Sequence, residues 1–104
     1  MNKLELMGRL VDNVEVKKSK QGKEYGTFTL AVSRKLDKEK TDFIECVVFG
    51  NLVKVISEYT EKGNRIIVNG ELNIDNYENK DGQKVKTIKC AVNDFYFVDF
   101  KAKE

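Results

Sequence analysis

The chain is 104 residues long, 40% hydrophobic and 35% charged, with a formal net charge of +2, which suits one modest core, is too short for two, and excludes a wholly disordered chain. No apolar run nears the roughly 20 residues that span a bilayer, and the opening Met-Asn-Lys-Leu-Glu-Leu lacks the apolar stretch of a secretory signal, so a cytoplasmic protein without a membrane partner is expected. There is no histidine, and the two cysteines, Cys46 and Cys90, lie far apart in apolar runs; they read as buried thiols, and neither catalysis, a metal nor a cofactor is expected.

Without proline, repeats or a Gly/Ser-rich linker, residues 1–100 read as one domain and 101–104 as a short frayed end. Leu4 to Val11 is the first predicted strand. A polar turn around Gly22 leads to a second at about Tyr25 to Ser33, where Phe28, Leu30 and Val32 alternate with Thr27, Thr29 and Ala31. The charged connection Arg34 to Asp42 leads to a third strand, Phe43 to Phe49. From Asn51 to Gly63, Leu52, Val55, Ile56 and Tyr59 recur at helical spacing, with Asn51 as the expected N-cap and Gly63 at the C-terminal end. A fourth strand spans about Arg65 to Tyr77, and Asp81-Gly82 supplies a hairpin signal into a fifth near Val85 to Val92. The aromatic tail, with Phe95, Phe97 and Phe100, is expected to pack back onto the sheet. Three strands, one helix and two strands predict an all-β, five-stranded OB-fold barrel with the α-helix between strands three and four.

Side-chain alternation sorts these strands into two faces. Ile44, Cys46 and Val48 carry no charge and read as core, which leaves Phe43, Glu45 and Phe49 outside. In the fourth strand Ile66, Val68, Gly70, Leu72 and Ile74 read inward, and Tyr77 outward with Asn69, Glu71, Asn73 and Asp75. Tyr25 falls outside on the parity of Thr27 and Thr29. Residues 17–40 hold eight basic side chains, Lys17, Lys18, Lys20, Lys23, Arg34, Lys35, Lys38 and Lys40, against three acidic ones, and Lys80, Lys84 and Lys86 flank the last hairpin. Rings interleaved with cations suit sequence-independent single-strand binding, because every base has a π-face to stack and every nucleotide a phosphate. The same rings would equally serve a subunit interface, and the same lysines plain solubility. Asp75, Glu78 and Asp81 form the one close carboxylate cluster, the minimum a metal-dependent nuclease would need.

The quoted segments resemble bacterial and phage single-stranded DNA-binding proteins nearly end to end. Leu6-Met-Gly-Arg-Leu10 is similar to that family's opening strand, Phe28 to Arg34 to its second, and Asp42-Phe-Ile-Glu-Cys-Val-Val-Phe-Gly50 to its third. Glu61 to Leu72 and Tyr77 to Val85 follow in register. The resemblance implies a homo-oligomer, usually a tetramer, that wraps single-stranded DNA during replication, recombination and repair, with Phe43, Phe49 and Tyr77 stacking on bases. Three departures stand out. Leu36 occupies a position where relatives often stack an aromatic, Glu45 and Asp75 bring negative charge beside the rings, and the sequence ends at Lys-Ala-Lys-Glu104 without the acidic tip through which relatives recruit other proteins, so such recruitment is not expected.

Overall fold

A computed structural model describes residues 1–99. Its elements are β1 (Leu4–Leu10), β2 (Glu15–Lys18), β3 (Glu24–Ser33), β4 (Thr41–Phe49), α1 (Asn51–Tyr59), β5 (Arg65–Glu78) and β6 (Lys84–Phe97). They form one six-stranded sheet in the order β1-β5-β6-β4-β3-β2, and a further β1–β3 pairing at Arg9–Ala31 and Leu10–Leu30 turns the sheet back on itself. All neighbours are antiparallel except β4 and β6, which run parallel with Cys46 opposite Cys90. The helix between the third and fourth expected strands is present, but the strand count is corrected from five to six.

The added strand, β2, falls where a polar turn was expected. All four of its residues are exposed, so no apolar alternation marks it. It forms as a backbone-paired edge on β3, from Glu15 opposite Thr27 to Lys18 opposite Glu24, and only the residues around Gly22 (φ +82°) remain a turn.

Inside the curled sheet, Leu10, Phe28, Leu30, Cys46, Val48, Ile66, Val68, Cys90 and Val92 form a core onto which α1 sets Val53 and Ile56. Burying a side chain of this size stabilises the fold by about 1.5–3 kcal/mol before entropy is counted. Both thiols are buried, and burial pushes each well above the ordinary cysteine range. The helix differs from expectation at both ends. Gly50, with φ +71°, occupies the N-cap and Asn51 is already helical; no side chain caps the helix, and the Val53 N–H donates to the Gly50 carbonyl at 3.1 Å. A sharp exit from β4 requires that positive φ, which glycine adopts at little cost. At the other end Tyr59 is the last helical residue and Thr60 is extended. The buried Thr60 hydroxyl donates to the Ile56 carbonyl, while Gly63 (φ +91°) turns the chain into β5 and donates its N–H to Leu10.

Strand β6 is longer than expected and takes in most of the aromatic tail: Phe95 pairs with Val68 and Phe97 with Ile66. The tail thus packs back as a continuation of the ladder, with the Phe95 and Phe97 ring centroids 5.3 Å apart and Phe97 6.3 Å from Tyr59. Just beyond it, Asp99 receives both guanidinium hydrogen bonds of Arg65, at 2.9 and 3.1 Å, and the Arg65 backbone N–H at 3.0 Å. Those bonds hold the Asp99 carboxyl down at about 2. The expected tail residue Phe100 and the expected frayed end, 101–104, lie outside the described residues.

A further correction concerns β5. The inward parity holds for Ile66, Val68 and Gly70, but Leu72 is 39% exposed and Ile74 49%. A bulge after Asn69 marks the change, and a Cβ on Gly70 there would collide with the Ala91 carbonyl oxygen. Past that point β5 and β6 leave the core as a two-stranded arm whose faces no third layer covers.

Candidate nucleic-acid interface

The outer face of β3 and β4, continued onto β6 and β5, can be built row by row from the strand register. Lys17, Tyr25 and Phe49 lie side by side on β2, β3 and β4. Next come Glu15, Thr27, Val47, Ala91 and Glu71. A third row sets Thr29 beside Glu45, Glu45 beside Lys89 and Lys89 beside Asn73. Ala31 and Phe43 follow, and on the arm Asp75 pairs with Thr87 and Tyr77 with Val85. An open groove of about 360 Å³ runs over the middle of this face, with Lys17, Thr27, Thr29, Glu45, Val47 and Lys89 among its lining residues.

The three principal rings stand at the margins of that groove and are open to solvent, Phe43 67% exposed, Phe49 59% and Tyr77 53%. None is packed inside the sheet. Phe49 points outward because it shares the parity of Val47 and Glu45, opposite to the buried Cys46 and Val48. Tyr25 is half-buried and leans on Phe49, ring centroids 6.0 Å apart and planes tilted by 33°. Together they make an aromatic corner with Lys17 alongside.

The expected cations are distributed unevenly. Lys17 reaches this face, with Glu15 at 3.9 Å, while Lys18 has the opposite parity. Lys20 and Lys23 occupy the exposed β2–β3 turn, and Lys35, Lys38 and Lys40 the exposed β3–β4 connection, where Leu36 is also fully exposed. Arg34 is engaged elsewhere: its guanidinium donates to both carboxylate oxygens of Asp42 at 3.0 Å, which raises the arginine and lowers the aspartate from their ordinary ranges. Lys80 sits in the arm's turn, and Lys84 and Lys86, opposite Glu78 and Asn76, lie on the arm face away from Tyr77. The residue that sequence reasoning missed is Lys89, at the centre of the groove. Its parity, opposite to that of Cys90, was the available signal.

The carboxylate cluster does not converge. Asp75 and Glu78 have opposite parity on β5, and among the described residues no group of three or more His, Cys, Asp or Glu side chains could hold a metal. No described helix is long and apolar enough to cross a membrane.

This combination, a curled sheet with a helix set against it and solvent-facing rings along one outer surface, was compared with known proteins. The model of the single-strand binding protein family matches residues 1–98. The chain belongs to that family. Among its relatives are a single-stranded DNA-binding protein of Clostridium perfringens, 37% identical over 100 residues that make up 95% of this chain and 67% of the relative, and single-stranded DNA-binding protein 2 of Staphylococcus aureus, 36% identical over 97% of this chain and 74% of the relative. The fold is similar to that of a Plasmodium falciparum SSB solved in complex with ssDNA, with a TM-score of 0.82, 28% identity, and coverage of 95% of this chain and 96% of that one. The OB-fold expected from the order of elements is therefore the fold of this chain.

Proposed function

We propose that this chain binds and coats single-stranded DNA without requiring a particular sequence, protecting it during replication, recombination and repair, and that it performs no catalysis. The observation that carries the proposal is the set of exposed rings, Phe43, Phe49 and Tyr77, with Tyr25 behind Phe49, spread across one outer face. Bases stack on the rings at about 1–3 kcal/mol each, and the stacking tolerates any base. Phosphates are held by Lys17, Lys89 and the turn and loop lysines, with Lys80, Lys84 and Lys86 along the arm. Arg34, tied to Asp42, contributes less.

The chain has no tryptophan, so binding reports through tyrosine. Adding oligo-dT at low salt should quench tyrosine emission and retard the oligonucleotide in a gel, and the affinity should fall with salt with a slope near −0.7 per phosphate neutralised. Unchanged emission together with no gel shift, or tighter binding to duplex than to a single strand, would overturn the reading.

We further propose that residues 1–100 act as one binding domain in the cytoplasm and assemble into a homotetramer. Family resemblance supports this, and so does the other half of the outer surface, where Met7, Ile67 and Tyr96 form one row on β1, β5 and β6. Met7 and Tyr96 are more than half exposed. The edge of β1 from Leu4 to Met7 borders no second strand among the described residues. In the adjoining row the buried Asn69 Oδ1 has no hydrogen-bond partner, a state that a second copy would relieve. Light scattering should give four times the chain mass with and without DNA, and a monomer mass would refute the assembly.

A further inference from the structure

We infer that Glu45 and Lys89 read the edge of a stacked base and give the face a graded preference for cytosine over thymine. The inference rests on the proposed single-strand binding and adds to it a preference that the rings alone cannot supply.

The row that crosses the groove consists of a hydroxyl, a carboxylate, an ammonium and an amide, from Thr29, Glu45, Lys89 and Asn73 on four adjacent strands. All four are at least partly exposed. Glu45 lies two residues from Phe43 on the same face of β4, about 7 Å along the strand, so a base laid on the Phe43 ring presents its edge to this row. Phosphates lie on the sugar side of such a base, away from the stacked edge. Among the described residues neither Glu45 nor Lys89 takes part in an ion pair, which leaves both heads available.

An ionised carboxylate only accepts hydrogen bonds and an ammonium only donates them. Cytosine carries an amino donor at N4 next to acceptors at N3 and O2, and so complements a carboxylate set beside an ammonium. Thymine in the same pose turns its O4 acceptor toward the carboxylate, and its single N3–H donor lies between two carbonyls. Adenine and guanine also carry amino donors, but their larger rings stack differently; two pyrimidines isolate the edge contribution. General repulsion of phosphate by Glu45 is the competing account, and it would act on every base alike.

The test is a titration of labelled oligo-dC and oligo-dT of equal length at one salt concentration, read by anisotropy so that quenching differences between bases do not enter. The native protein should bind oligo-dC at least about fivefold more tightly, the lower end of what one well-placed base contact discriminates. Glu45→Thr should erase that ratio by weakening oligo-dC and strengthening oligo-dT, and Lys89→Ala should weaken oligo-dC more than oligo-dT. Thermal melting of each variant confirms folding. If Glu45→Thr strengthens both oligomers by the same factor, or if the native protein favours oligo-dT, the base-edge reading is wrong while single-strand binding stands. If the native protein binds neither oligomer, single-strand binding itself fails and the inference falls with it.

Discussion

Strands β5 and β6 pair along nearly their whole length, yet their two halves live in different environments. From Arg65 to Gly70 the inward residues of β5 are buried, Ile66 and Val68 completely, because α1 and the remaining strands lie over them. From Leu72 to Glu78 the alternation of side chains continues, but Leu72, Ile74 and the opposite Ile88 stay in solvent. The contrast teaches that strand periodicity records pairing and pleat, whereas burial requires another layer, and only the first half has one. The arm buys reach rather than stability: it carries Tyr77 away from the core to the margin of the proposed DNA path.

The sharpest way to break this comparison uses one residue type at two places on the same face of one strand. Ile66→Ala should lower the unfolding free energy by about 2–5 kcal/mol through lost transfer energy and the cavity left behind. Ile74→Ala should change it by no more than about 0.5 kcal/mol, as for other exposed positions. Urea denaturation of both variants decides the matter, and a similar loss in each would mean that the arm is covered in solution. The next effect concerns binding. Tyr77→Ala and Phe43→Ala should each weaken oligo-dT binding by about 1–3 kcal/mol, fivefold or more, while leaving the denaturation midpoint unchanged. A midpoint that moves with affinity would make these rings structural.

The smallest effect sharpens the buried half. Asp99 is held down at about 2 by hydrogen bonds from Arg65, so its contribution is present above the unfolded carboxyl range near pH 4 and is lost as pH falls toward 2. Asp99→Asn should therefore melt below the native protein at about pH 6, with the gap closing as the pH is lowered through that interval. A gap independent of pH would show that charge is not what Asp99 contributes.

Much of this was legible in the sequence because it is local. The alternation of Ile44, Cys46 and Val48 against Phe43, Glu45 and Phe49 placed two rings outside without coordinates, and the helical spacing of Leu52, Val55, Ile56 and Tyr59 located α1. What was not legible depends on distant partners. Strand β2 has no apolar face and exists through its bonds to β3. Leu72 and Ile74 carry the pattern of core residues but extend past the layer that would bury them. The joining of Glu45 to Lys89 comes from the parallel β4–β6 register, a pairing across the helix and the arm that no short-range signal encodes. Arg34 looked like a free cation until Asp42, eight residues later, was seen to hold it in both arms of the guanidinium.

Cys46 and Cys90 face each other across that parallel pair with almost no accessible surface, and burial keeps both protonated. Thiol reagents need an exposed thiolate, so the native chain is chemically silent toward maleimides although it contains sulfhydryls. A single cysteine introduced at Asp81, at the tip of the arm, would be the sole reactive position, and a dye could be attached there with the core sulfurs left in place.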